Sequence, residues 1–248
     1  MDLVYINFTL SFFKTFLALF KGQIKAHTGQ FGEDVIIKKL FERKKKNGFY
    51  VDLGANHPFL HSNTAWFWLN GWSGINVDAN QKSIAIFNKI RKNDINLNYA
   101  IIPSEQYKKG VRSIELYLPD KETGPGGITA TASVNKKIAD KRNFTKKQNI
   151  DAIDINTLFS IHKITDIDYL NIDLEGLDEE VLLDLDFNKV KIHLIAIEDY
   201  SFNMNPINQS KITTYMLENG YIFMAKVGPT SIFVRGESFD SNLAIIKN

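Results

Sequence analysis

The chain has 248 residues, of which 44% are hydrophobic and 23% charged, with a formal net charge of +2; this is the size and make-up of one large α/β domain. So small a charge gives no argument for nucleic acid, and no nucleic-acid partner is expected. The lack of cysteine excludes disulfides, thiolate nucleophiles and zinc–thiolate sites, and fits a reducing compartment.

Residues 1–27 read as a separate N-terminal unit. Leu3 to Phe20 is strongly apolar, yet Asn7, Ser11, Lys14, Lys21 and Lys25 recur at helical spacing, which predicts an amphipathic helix with a narrow cationic face. A membrane span would place Lys14 mid-segment at a cost of roughly 2.5–3.5 kcal/mol, and no small-residue cleavage site follows. Packing on its own domain or on a partner subunit is the leading expectation. Peripheral membrane contact through residues 1–25 is the second. The expected location is cytoplasmic, with any such contact at the inner face of the membrane; homo-oligomerisation is left open.

Residues 28–248 read as the main domain. Gln30-Phe-Gly-Glu-Asp34 leads into an amphipathic helix that includes Val35, Ile37, Leu40 and Phe41 and is closed by the basic run from Arg43. Then follow a strand at Phe49–Leu53, a helix near 63–69 stopped by Asn70-Gly71, a strand at 74–77, a helix at 81–91 and a strand at 97–101. This β-α-β-α-β order predicts a Rossmann-like, doubly wound, mostly parallel seven-stranded sheet. Ser113–Leu118 alternates like a strand. The glycine-rich segment from Pro119, within a lid-like stretch near 119–135, is too long for a mere connector. Regular order resumes with a helix near 157–162, a strand at 168–172, a helix at 178–185, a strand at 192–197 and a helix at 210–219. Two last strands, 221–226 and 231–235, joined through Gly228-Pro229, predict an antiparallel hairpin at the C-terminal sheet edge.

Three of these strands end in acids: Asp52, Asp78 and Asp173. Ligands of open α/β sheets sit outside the strand carboxyl ends. Asp52-Leu-Gly-Ala-Asn56 puts Gly54 where the chain must turn sharply, but the glycines of a pyrophosphate-binding fingerprint are missing. A carboxylate there repels phosphates and suits a cationic cofactor, which favours S-adenosylmethionine. Asp78 follows at about the interval where an acid accepts from ribose hydroxyls, ~20 residues on. Asp173, Glu175 and Glu198 gather at adjoining strand ends, where they could bind a metal, orient a hydroxyl or act as a base; no resident metal is expected.

The ordered set Gln30–Asp34, Val51–Pro58, Ser62–Thr64, Gly71–Asp78, Ile172–Gly176 and Ile197-Glu198 resembles the FkbM-type methyltransferases, a branch of the S-adenosylmethionine-dependent Rossmann-like enzymes, over roughly residues 28–235. The resemblance implies that Asp52, Gly54, Ala55 and Asn56, with Ser62, Asn63 and Thr64, surround the methionine portion of the cofactor. It implies that Asp78 takes the ribose, that Tyr99, Ala100 and Ile101 flank the adenine, and that Asp173 faces the reacting centre. The expected activity is O-methylation of a sugar hydroxyl on a carbohydrate or glycolipid-type acceptor, with Asp173 as base and Glu175 or Glu198 orienting the acceptor. His57 and His61 are alternative bases. The basic set Lys136, Lys137, Lys141, Arg142, Lys146 and Lys147 is a solvated face or an attractor of anions, and Trp66, Trp68 and Trp72 are core or a carbohydrate platform. A non-catalytic assembly protein on this fold and an NAD-dependent oxidoreductase are the competing readings.

Overall fold

Five short apolar runs become the parallel heart of a seven-stranded sheet in the computed structural model of the protein, which describes residues 27–41, 47–120, 132–204, 210–240 and 245–246. Residues 1–26 of the expected N-terminal helix (1–27) and the centre of the expected lid, 121–131, lie outside the described residues. The parallel strands are β1 (Phe49–Leu53), β2 (Ser73–Val77), β3 (Ile95–Leu97), β7 (Asp166–Ile172) and β8 (Lys191–Glu198). β9 (Tyr221–Val227) and β10 (Thr230–Arg235) complete the order β3-β2-β1-β7-β8-β10-β9, with β10 antiparallel to both neighbours. The expected fold class, including the C-terminal edge hairpin, is therefore the one observed. Strand order reverses between β1 and β7, which is where a doubly wound sheet opens its ligand crevice.

Both sheet faces are covered, which is why the strands read as near-continuous apolar runs. Alternate residues divide between the faces. Val51, Leu170 and Ile195 pack with α6 (Ile155–Ile161), α7 (Asp178–Leu183) and α8 (Lys211–Glu218). Tyr50, Tyr169 and Leu194 pack with α1 (Glu33–Phe41) and α2 (Ala65–Leu69). The three tryptophans belong to this second layer. Trp72 is buried beside Phe41 and Phe67, with ring centroids 4.9 and 4.6 Å away, and Trp66 and Trp68 pack against the same cluster. That placement makes them core rather than a platform.

Between β3 and β7 the chain builds a smaller sheet, ordered β4-β6-β5, from β4 (Ala100–Ile101), β5 (Ser113–Leu118) and β6 (Lys146–Ile153). The single strand expected at 97–101 is thus two strands in different sheets. The break falls at Asn98, whose side-chain amide donates to the carbonyls of Asp78 and Ala79 at 2.9 and 3.0 Å. β6 escaped the sequence reading because its first half, Lys146–Asn149, is polar and mostly exposed; Ile150, Ala152 and Ile153 carry its burial. The remaining elements are α3 (Gln81–Ile90), α4 (Ser104–Lys108), α5 (Lys136–Lys141) and a short pair, β11 (Phe239–Asp240) with β12 (Ile245–Ile246). Among the described residues no helix is long and apolar enough to cross a membrane.

Candidate active site

The site begins where β1 meets β7. Gly54 adopts φ +80°, and a methyl group built on it would lie 1.7 Å from the Asp173 carbonyl oxygen. No side chain fits there, so the turn must be glycine. The Gly54 and Ala55 N–H groups both donate to the Val77 carbonyl at 2.9 and 3.0 Å, and the Asp173 N–H donates to the Leu53 carbonyl at 2.9 Å. The ends of β1, β2 and β7 are thereby locked together.

Asp78 adds a second lock. Its Oδ2 accepts from the Asn56 N–H at 2.7 Å and its Oδ1 from the Asn80 N–H at 2.6 Å. Asn56 is held at φ +52°. Burial pushes the Asp78 pKa up to about 6 despite the two backbone bonds. Each carboxylate oxygen keeps a lone pair for a further donor.

Around these turns lies a cavity of about 330 Å³. Asp52, Gly54, Ala55, Asn56, Ser62, Asn63 and Asp78 line it, as do Tyr99, Ala100 and Ile101, and so do Asp173, Glu175 and Glu198. Thr64 does not. It is fully buried behind the wall, donates to Asp52 Oδ2 at 2.6 Å and accepts from Arg91 Nη1 at 2.9 Å. Its place is that of a relay. The other Asp52 oxygen accepts from Asn171 Nδ2 at 3.0 Å. Burial raises the Asp52 pKa, opposed by the Thr64 bond, the Arg91 charge and the Asn171 bond.

In the sequence Arg91 reads as an ordinary basic helix end. It is 0% exposed and donates to Tyr50 Oη, Thr64 Oγ1, Asn76 Oδ1, Ser62 Oγ and the Pro58 carbonyl. Its guanidinium lies over Phe87, 5.0 Å from the ring centroid. One cation thus pins the 58–64 loop to the underside of the sheet. His57 is a turn holder: its Nδ1 accepts the N–H groups of Phe59 and Leu60 at 3.1 and 3.0 Å, and burial, with the Arg91 charge, lowers its pKa. His61 lines the cavity.

Acids crowd the other end. Oxygens of Asp173, Asp178 and Glu198 lie within 4.8 Å of one another, a spacing that a hard cation would accept. Asp178 already accepts the N–H groups of Leu174 and Gly176 at 2.7 and 3.0 Å. Glu198 Oε1 accepts from the Tyr200 hydroxyl at 3.1 Å, while its Oε2 is buried without a partner among the described residues. Burial and then the neighbouring Glu198 charge push the Asp173 pKa well above the carboxylate range. Burial and the charges of Asp178 and Glu175 push Glu198 up to about 7. Glu175 departs from the expected pairing with Asp173 along one strand. β7 ends at Ile172, Glu175 turns to φ +50°, and its carboxylate meets Arg142 Nη1 at 3.1 Å.

Phe31 and Tyr200 stand at the rim, 52% and 79% exposed. Both also line a shallower depression of about 380 Å³ with Phe202 and Pro229. Of the basic set after the expected lid, Arg142 reaches the cavity; Lys147 pairs with Glu115 at 3.0 Å and Lys146 donates to the Asp120 carbonyl at 2.8 Å.

The donor set suits a cationic nucleoside better than a dinucleotide. The turn wall is carboxylate and amide, and Arg142, paired with Glu175, is the one lysine or arginine among the described lining residues. A pyrophosphate would meet Asp52 and Asp173, with the already paired Arg142 as the one cation among the described lining residues to offset its charge. The family model of the methyltransferase FkbM domain matches residues 52–223 of the chain. No curated protein matches it.

Proposed function

The chain belongs to the FkbM methyltransferase family, and from that premise we propose that it transfers the methyl group of S-adenosylmethionine to a hydroxyl of a carbohydrate or glycolipid-type acceptor. The observation that carries this reading is the cavity itself. A glycine turn pressed onto the Asp173 carbonyl opens into a carboxylate-walled space that no phosphate would favour.

The bound cofactor supplies an electrophilic methyl carbon on a positively charged sulfur. The chain's residues supply placement and proton handling. Asp78 accepts from the ribose hydroxyls with the lone pairs left by the Asn56 and Asn80 N–H groups. Tyr99, Ala100 and Ile101 flank the base, and the Gly54 turn with Ser62 and Asn63 holds the amino-acid end. Asp173 would take the proton of the acceptor hydroxyl, and the cofactor, held by Asp78 and the Gly54 turn, would supply the electrophilic methyl carbon. Burial and the neighbouring Glu198 charge raise the proton affinity of Asp173, the direction a general base needs. Glu198, with its unpartnered oxygen, and Tyr200 orient the acceptor.

Two features favour a neutral polyol over an anion. Asp173, Glu175 and Glu198 together repel negative charge and accept hydroxyl hydrogens. The exposed rings of Phe31 and Tyr200 offer apolar faces to a sugar ring at the mouth.

Asp78→Ala and Asp173→Ala separate the roles. Asp78→Ala should weaken S-adenosylhomocysteine binding, read by calorimetry. Asp173→Ala should keep that affinity and lower methyl transfer to a glycoside panel by about 10²–10⁴-fold. Equal loss of binding in both variants would refute the assignment.

A further inference from the structure

The shallower depression of about 380 Å³ lies directly beside the cavity mouth. Gln30, Phe31, Tyr200 and Pro229 line both spaces, whereas Phe202, Lys226 and Gly228 belong to the depression alone. The shared residues make the two spaces continuous.

The rings that border the depression are held in place. The N–H groups of Gln30 and Phe31 donate to the two oxygens of Glu33 at 3.1 and 2.8 Å, and the Phe31 ring rests on the hairpin turn at Gly228. A methyl group built on that glycine, at φ +55°, would lie 2.7 Å from Phe31 Cγ, so a larger residue would displace the ring. Phe202 stacks on Phe223, with ring centroids 5.2 Å apart and planes inclined by 15°. Tyr200 is tied through its hydroxyl to Glu198 Oε1 at 3.1 Å. Side chains fixed before a ligand arrives lose little freedom when it binds.

The charges of the depression are already satisfied. Lys226 is the one cation among its described lining residues. Its Nζ donates to the carbonyls of Asp199 and Pro229 and to Ser231 Oγ, which takes all three of its hydrogens. The Asp199 carboxylate accepts from the Ser201 N–H and hydroxyl and from the Ser210 hydroxyl at 3.1, 2.8 and 2.6 Å. What remains for a ligand is neutral: three ring surfaces and the exposed Gln30, whose amide offers two donors and an acceptor.

The main cavity, about 330 Å³, is at the lower end of the ~300–1,000 Å³ that drug-sized ligands occupy. A nucleoside cofactor takes most of that volume. The body of an acceptor must then lie outside it, across the boundary formed by Phe31 and Tyr200.

We propose that the depression is a second sugar subsite and that the acceptor is a saccharide of at least two rings. One ring presents its hydroxyl to the cavity; the next lies against Phe31 and Phe202, with Gln30 meeting its hydroxyls. This rests on the reading of the protein as a methyltransferase of sugar hydroxyls. Aromatic surfaces beside a neutral amide suit the C–H face and hydroxyl edge of a pyranose. An acyl chain would leave the amide unused, and an acidic group would find Lys226 occupied.

The test compares kcat/KM for methyl transfer to the methyl glycosides of glucose, mannose and galactose with that for the methyl glycosides of their disaccharides. Wild-type protein should favour a disaccharide at least tenfold over the matching monosaccharide. Phe202→Ala should remove most of that gain through KM, with kcat within twofold, and the exposed Gln30→Ala should remove part of it. Both variants should leave monosaccharide transfer and the calorimetric affinity for S-adenosylhomocysteine within twofold. Equal loss on both acceptor classes would show a merely structural role and overturn the subsite, as would unchanged disaccharide transfer in both variants. A wild type without preference for disaccharides would also overturn it and leave sugar methylation standing. Transfer to no glycoside by protein that binds S-adenosylhomocysteine would overturn the sugar acceptor and the subsite together.

Discussion

Gly54 carries more of the site than any acid does. Its φ of +80° and its contact with the Asp173 carbonyl mean that even one methyl group must push β1 and β7 apart. Gly54→Ala should lower stability by about 2–4 kcal/mol, from backbone strain plus overpacking, and abolish S-adenosylhomocysteine binding. Urea unfolding and calorimetry check the two effects. A stable Gly54→Ala protein with intact binding would show that the strand ends can separate. Gly54 was legible in the sequence because a glycine after an acid-ended strand has few other uses. Asp78 was legible as a site residue for the same positional reason. Thr64 sits next to cavity residues in sequence but behind the wall in space, and no spacing rule separates those two cases. Glu33 and Asn171 read as a helix-start acid and a polar residue in an apolar strand; only the fold brings them, 138 positions apart, to the wall of one cavity.

At the scale of elements, the chain's regular β-α units were readable because their apolar periods are strong, whereas the β4-β6-β5 sheet was not. Its strands are short or half polar, and β4 is set off from β3 by Asn98 side-chain bonds. The link between α3 and the 58–64 loop was equally hidden, since it depends on where Arg91 ends up. Five donor contacts from one buried guanidinium make Arg91 the clasp of that loop. Arg91→Met keeps the apolar stem but leaves Thr64, Ser62 and the Pro58 carbonyl short of a donor. The expected loss is about 3 kcal/mol, with weaker S-adenosylhomocysteine binding, because the loop carrying Ser62 and Asn63 is freed. Hydrogen exchange should show the 58–64 amides losing protection before the β1 amides. Simultaneous loss in both would place Arg91 in the global core instead.

For the molecule as a whole, the sheet's carboxyl edge gathers acids whose pKa values are raised: Asp78 and Asp178 to about 6, Glu198 to about 7, with Asp52 and Asp173 also raised. Unfolded, such groups titrate near 3.8 or 4.5. Between those values and the folded ones the native state holds more protons than the unfolded chain. Stability from these groups is therefore full at about pH 4 and falls as pH rises through about 6–7. Each tenfold difference in proton affinity between folded and unfolded chain accounts for about 1.4 kcal/mol of that fall. Urea unfolding of the ligand-free protein should show the fall, and Glu198→Gln should flatten its upper part. A stability that rises over the same range in both proteins would mean that the acids are ionised and compensated in the folded state.

The proposed function requires this edge to hold a cationic nucleoside cofactor. Calorimetric titration of the protein with S-adenosylhomocysteine, with NAD as the parallel control, tests it most directly. Saturable binding of S-adenosylhomocysteine at one site per chain, with no heat from NAD, is the predicted result. Binding of NAD alone, or of neither, would overturn the proposed function.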